Sequence, residues 1–278
     1  MKNRGTLALL SAGLLLGGIT HSDASHFSRS GPPPLRQAAG TLQSYLRAVM
    51  GRDYDAAYAM LTRSQRTYFH NARNFASVFE SDRLRLLRYT VGQSIGNDAR
   101  RVVFVKERFS IRDYAHDRDV TLEGTLAYGV VRSQKNYAVK DGGHPWRAIV
   151  PSVQSENRGA RIVVRKVSFF TKHVQLLLTF VNTGDGFVTI LPYRKSVLKD
   201  DAGVVYPIIE VKDWRITDKQ LFLGLRIAGN AQYTGFLTFR LPARSVSRVL
   251  HLEVAPLLRE GDALPFNVSF PPIELTHA

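Results

Sequence analysis

The chain contains no cysteine. That absence excludes disulfide staples, thiolate metal sites, a cysteine nucleophile and lipid attachment through a cysteine, so stability has to come from hydrophobic cores. A second long apolar run is also missing: beyond the N-terminus nothing approaches the roughly 20 residues that a membrane helix needs. The N-terminal run, Leu7 to Ile19, is itself too short to span. Lys2 and Arg4 precede it, and Ser22 and Ala24 follow it two residues apart, so residues 1–24 read as a signal peptide cleaved after Ala24. The mature chain is expected to be exported, working in the periplasm, at the cell surface or as a secreted protein, with no transmembrane segment left after processing.

Metal and nucleotide signatures are absent as well. The eight histidines show no H-x-x-H, H-x-x-x-H or H-E-x-x-H spacing, so no transition-metal site is expected. Asp113, Asp117 and Asp119 lie in a loop whose spacing is not that of a calcium loop; they read as a solvated turn with Arg112 and Arg118 as counter-charges. Phosphate-loop and dinucleotide glycine patterns are missing, and no cofactor is expected. No serine lies in a strand–turn–helix context that would expose it as a nucleophile.

What is present is a basic excess, 38 Lys and Arg against 23 Asp and Glu, for a net charge of +15. It is spread over both halves rather than gathered in a stripe with stacking aromatics, which argues against nucleic acid. A diffuse positive surface suits anionic envelope polymers or phospholipid headgroups.

Residues 25–35 form a Pro/Ser/Gly leader with no periodicity, expected to be disordered. Leu42, Tyr45, Leu46 and Val49 then fall on one face of a helix that Gly51 can end. Asp53 can cap a second helix carrying Tyr54, Ala57, Tyr58 and Leu61 at the same spacing. A further helical stretch is expected from Asn74 to Phe79. The period then changes, and Leu86 to Ile95, Arg101 to Ile111, Asp119 to Arg132 and His144 to Val150 read as strands. Gly124 and Gly129 are candidate points of bending or bulging. Gly96-Asn-Asp98 and Gly142-Gly143 are expected to mark hairpin turns.

The layout predicts an α+β cone-like domain over 36–151, a helical hairpin plus a curved antiparallel sheet. Polar residues 152–159 read as a linker. From residue 160 to 278 short alternating segments separated by turns predict an all-β sandwich: Arg161 to Phe169, His173 to Asn182, Phe187 to Leu191, Val204 to Lys212, Gln220 to Ile227, Thr234 to Leu241, Ser247 to Val254 and Phe266 to Phe270. Within the last, Asn267-Val-Ser269 has the spacing of an N-glycosylation triplet.

Two resemblances follow from these stretches. The run from Thr41 to Leu61 resembles the opening helices of the cone-shaped domains named after nuclear transport factor 2. Asn182-Thr-Gly-Asp185, Asp201-Ala-Gly-Val-Val-Tyr206 and Gly235-Phe-Leu-Thr-Phe-Arg-Leu-Pro242 resemble turns and a late strand of the immunoglobulin-like accessory domains of bacterial surface proteins and lipoproteins. The latter are commonly lipidated, and this chain departs from them in lacking the cysteine. Neither resemblance carries a catalytic residue.

Glu107 is the residue that breaks its local pattern. It shares a strand face with Arg101, Val103, Val105, Phe109 and Ile111, where a carboxylate is expensive unless paired. Lining a cone interior, Glu107 would have a raised pKa and bind a ligand or act as a general base, with Tyr54 and Tyr58 as hydroxyl donors. Paired with an arginine near the sheet edge, it would be structural. Tyr68, Phe69 and His70 read as packing or capping groups. The expectation is an exported, non-enzymatic binding or scaffold protein of the cell envelope, recognising a protein partner or an anionic envelope polymer and able to form a homodimer. The alternative is a small-molecule carrier, or a dehydratase- or isomerase-like enzyme with a pocket in the cone.

Overall fold

A computed structural model describes residues 33–114, 116–134, 136–191, 195–213, 225–241 and 248–275. The expected signal peptide and most of the leader lie outside these residues. Among the described residues the chain divides into two compact units, the first comprising 33–113 together with Asp117–Arg147, the second comprising the residues from Ala148 onward with Tyr114 and His116.

The first unit opens with four helices: α1 (Pro33–Gly51), α2 (Tyr54–Ala59), α3 (Arg63–Phe69) and α4 (Ala72–Ser81). Helix α1 starts earlier than the end of the expected leader. Pro33 and Pro34 stand in its first turn, where the missing amide hydrogens would have had no intrahelical acceptor. Asp53 caps α2 as expected, its Oδ1 accepting from the Ala56 amide at 3.0 Å. Thr62 and Asn71 cap α3 and α4 in the same way, through the amides of Gln65 and Asn74. Four antiparallel strands follow in the order β1 (Arg85–Gly96), β2 (Arg100–Asp113), β3 (Arg118–Ser133) and β4 (Asn136–Lys140). Leu42, Tyr45 and Leu46 of α1, Phe75 and Phe79 of α4, and Val103, Val105, Tyr128 and Val130 of the sheet form one buried core.

The register of β2 on β3 runs unbroken from Arg100↔Val131 to Asp113↔Arg118, so neither Gly124 nor Gly129 is a bulge. The irregularities lie in β1 instead, between Leu86 and Arg88 and between Val91 and Ser94. Gly96, at φ +127°, turns β1 into β2 as expected, with the Asn97 side chain accepting from the Ala99 and Arg100 amides. Gly142-Gly143 is not a hairpin turn: it leads out of β4 toward β5 (Arg147–Ile149), which belongs to a sheet of the second unit.

The second unit holds two antiparallel sheets. One contains β5, β6 (Val153–Asn157), β7 (Ala160–Phe169), β8 (His173–Asn182), β12 (Ile208–Asp213) and β14 (Gln232–Arg240). The other contains β9 (Val188–Ile190), β10 (Val197–Asp200), β11 (Val205–Tyr206), β13 (Leu225–Ile227), β15 (Val249–Arg259), β16 (Phe266–Ser269) and β17 (Ile273–Glu274). Residues 152–159, read above as a linker, instead supply β6 and its turn into β7, paired from Val153↔Val164 to Asn157↔Ala160. Gln154 and Glu156 are polar because they share the exposed side of that strand, and exposure alone does not prevent backbone pairing. The expected strand from Gln220 lies outside the described residues up to Leu225. Asp200 builds its turn through its own carboxylate, which accepts from the amides of Ala202 and Val204 at 3.0 and 2.8 Å and from the Tyr206 hydroxyl.

Candidate functional site

Alternation along β2 sends Val103, Val105, Glu107 and Phe109 inward, and Glu107 is only 5% exposed there. Its partner is Tyr128 of β3, whose hydroxyl donates to Glu107 Oε1 at 2.7 Å. This replaces the arginine that a structural pairing would have used. Tyr128 packs edge-on against Tyr45 of α1, ring centroids 6.1 Å apart. The Tyr45 hydroxyl in turn donates to Asp141 Oδ2 at 2.5 Å. The other Asp141 oxygen lies 3.3 Å from His144 Nε2. Five titratable side chains from α1, β2, β3 and the segment after β4 therefore form one buried cluster.

The turn that makes this possible is Asp141-Gly-Gly-His144. Gly143 has φ +89°, a conformation open to glycine and costly for other residues, and it folds His144 back onto Asp141. Tyr68 holds the same turn from the other side, its hydroxyl donating to the His144 carbonyl at 2.7 Å. Phe79 lies 5.7 Å from the His144 ring, and the side chain of His144 remains 27% exposed.

Burial raises Glu107 to about 7, opposed by the Tyr128 hydrogen bond and reinforced by the Asp141 charge. For His144 burial acts downward, but the charge and hydrogen bond of Asp141, with Asp82 and Glu107, outweigh it and raise the imidazole above its ordinary value. Burial also lifts Tyr45 and Tyr128 well above the usual phenol range, aided by Asp141, which keeps both as hydrogen-bond donors. The arrangement can hold a proton on Glu107 near neutral pH beside the hydrogen-bonded Asp141 and His144.

Tyr54 and Tyr58 have other surroundings. Tyr54 stacks on Phe79 at 5.2 Å and borders a solvent-open hollow of about 360 Å³ with Arg52, Glu80 and Arg85; Glu107 does not line it. The Tyr58 hydroxyl donates to the Arg66 carbonyl at 3.0 Å. Space beside Glu107 exists elsewhere. Gly124 pairs directly with it across the sheet, and a Cβ at Gly124 would meet nothing within 4 Å.

Asp141 and His144 are not among the candidates the sequence offers, because Gly142-Gly143 reads there as a hairpin turn and His144 as the start of a strand. The signal was there: an acid and a histidine three apart, joined by two glycines. The spacing Gly92-x-Ser94-x-Gly96 also occurs, but it lies wholly within β1, where no strand-to-helix elbow presents the serine. His70, at a helix end, packs edge-on against Trp146 at 5.1 Å. Arg112 pairs with Asp117 and Asp119 at 2.6 and 3.3 Å, which makes that loop the charge-balanced turn expected. Among the described residues no group of acids and histidines is placed to hold a metal ion. No protein-family model matches the chain, and no curated protein matches it.

Proposed function

We propose that the chain is an exported, non-enzymatic binding or scaffold protein of the cell envelope, a cone-like α+β domain followed by an immunoglobulin-like sandwich, recognising a protein partner or an anionic envelope polymer. The observation that supports this most is how the interior polar groups of the first unit are used. Glu107 is bonded by Tyr128, Asp141 by Tyr45 and His144, and Tyr58 by a backbone carbonyl. Around them Tyr45, Phe75 and Leu46 are almost wholly buried, so side chains fill much of the interior behind the sheet. Small-molecule sites ordinarily keep convergent polar groups unsatisfied in a cavity. Native mass spectrometry of the processed protein from its own envelope fraction tests the reading. A bare chain, or a complex with a protein or polymer that the Glu107→Gln variant retains, is the expected result. A small molecule that co-purifies with the wild type and is lost from the variant would overturn it.

One observation favours a second reading, a small-molecule site in the cone. The proton-holding Glu107, the Asp141–His144 pair and the open space at Gly124 lie together, the combination that acid–base or carrier sites use. Gly124→Val fills that space without disturbing Glu107 itself. On this reading the co-purified molecule disappears from Gly124→Val as well.

A further inference from the structure

The outer face of the first sheet combines two features. The register places Ile95 opposite Val102, Val102 opposite Gly129, and Phe104 opposite Ala127, a strip of apolar and small residues across three strands. Ile95 is 58% exposed and Val102 39%. Alongside it on the same face Arg88 stands opposite Arg108, and Lys106 opposite Thr90 and Thr125. Among the described residues beside these three cations the acid is Glu123, 3.9 Å from Lys106 and 4.0 Å from Arg108; Asp119, farther along the same face, is paired with Arg112. The Lys106 side chain is 70% exposed.

We propose that this face docks on an anionic phospholipid surface, the cations meeting headgroup phosphates while Ile95, Val102 and Phe104 enter the headgroup boundary. The charge balance selects an anionic partner, and the adjoining apolar strip selects a lipid surface over a hydrophilic polymer, which has nothing to offer it. Peripheral membrane affinity grows with apolar burial added to electrostatic attraction, and here both lie on one surface. A chain without cysteine has no thiol for a lipid anchor, and this face supplies reversible attachment instead. The proposal goes beyond the binding reading above and does not depend on which partner that reading requires.

Co-sedimentation of the processed chain with phosphatidylglycerol-containing vesicles, against vesicles of pure phosphatidylcholine, is the test. The wild type is expected to bind the anionic vesicles and to lose them as salt is raised. A triple variant, Arg88→Gln with Lys106→Gln and Arg108→Gln, is expected to bind about 100-fold more weakly, roughly fivefold per cation. Ile95→Ser with Val102→Ser should weaken binding about tenfold or more through lost apolar burial. Glu123→Gln, which removes the opposing charge, should tighten it several-fold, and it guards against variants that merely fail to fold. Equal binding to both vesicle types, or anionic binding untouched by these substitutions, overturns the proposal. So does a wild type that ignores vesicles and binds soluble polyphosphate, which assigns the face to a polymer. A chain that ignores vesicles yet retains a partner in native mass spectrometry sinks this proposal and leaves the binding reading standing.

Discussion

Glu107 has a consequence for stability that its hydrogen bond alone would hide. Its native pKa of about 7 stands above the ordinary 4.5, so the folded state binds the proton more tightly than the unfolded chain. Its contribution to stability is therefore complete below 4.5 and is lost as pH rises to about 7. His144, raised in the same direction, loses its contribution as pH climbs through its native value. Glu107→Gln keeps an acceptor for Tyr128 and removes the titration. It is expected to be more stable than wild type by about 3 kcal/mol at pH 8 and unchanged at pH 4, read by urea unfolding at both. Two glycines of β3 make a second contrast. Gly124→Val meets open space and should be neutral or stabilise by up to about 1 kcal/mol. Gly129→Val would set its Cβ 3.0 Å from the Lys140 Cβ and should destabilise, so its melting temperature should fall while that of Gly124→Val should not.

Elements of this chain are held at their ends by side chains rather than by backbone alone. Asp53, Thr62 and Asn71 each satisfy an orphan amide at the start of a short helix, and helices of six to ten residues depend on such help. Asp53→Ala should cost about 1 kcal/mol, measured by thermal unfolding of the processed chain. In the second unit Arg259 at the end of β15 does a comparable job across loops. Its guanidinium donates to the carbonyls of Arg158 and Asp185 at 2.8 and 3.0 Å and to Asn182 Oδ1 at 3.2 Å. Gly159 and Gly184 make room for it, since a Cβ at either would come within 2.6 Å of the guanidinium. Arg259→Lys loses the planar fork and should destabilise by about 2 kcal/mol. These elements were unequally legible. Helix α1 shows its apolar face at a clean 3.6 spacing, whereas α3 is mostly polar and announces itself only through the Thr62 cap. Strand β4 is too short for its alternation to be seen, although Tyr137 and Val139 are buried.

At the scale of the molecule, the buried core of the first unit is drawn, among the described residues, from Ala38 to Val139, with Trp146 packed against it. A fragment spanning 33–147 therefore has everything its core requires and is expected to fold alone, with cooperative unfolding by circular dichroism. A fragment cut at 136 loses β4 and should not. The units divide between Arg147 and Ala148, a few residues before the break expected at 151/152, and the polarity of 152–159 marks a partly exposed strand. Glu107 was visible as a candidate since a single carboxylate interrupts an apolar face. Its true companions, Tyr45, Tyr128, Asp141 and His144, were not, because they come from α1, β3 and the segment after β4, all distant from β2 in sequence.

What the sequence determined by itself is whatever depends on near neighbours: the helix faces, the Asp53 cap, the Gly96 turn, most strands, and the change from helix to sheet at about Arg85. These follow from 3.6- and 2-residue periods and from local hydrogen bonds, which a linear pattern records. Only the tertiary structure decided that Glu107 meets Tyr128, that Asp141 binds Tyr45 from 96 residues away, and that Arg88, Lys106 and Arg108 share a face with an exposed apolar strip. Those juxtapositions depend on strand register and on a left-handed turn at Gly143. Their energies are gained only when distant segments close together, so nothing in the local pattern marks them.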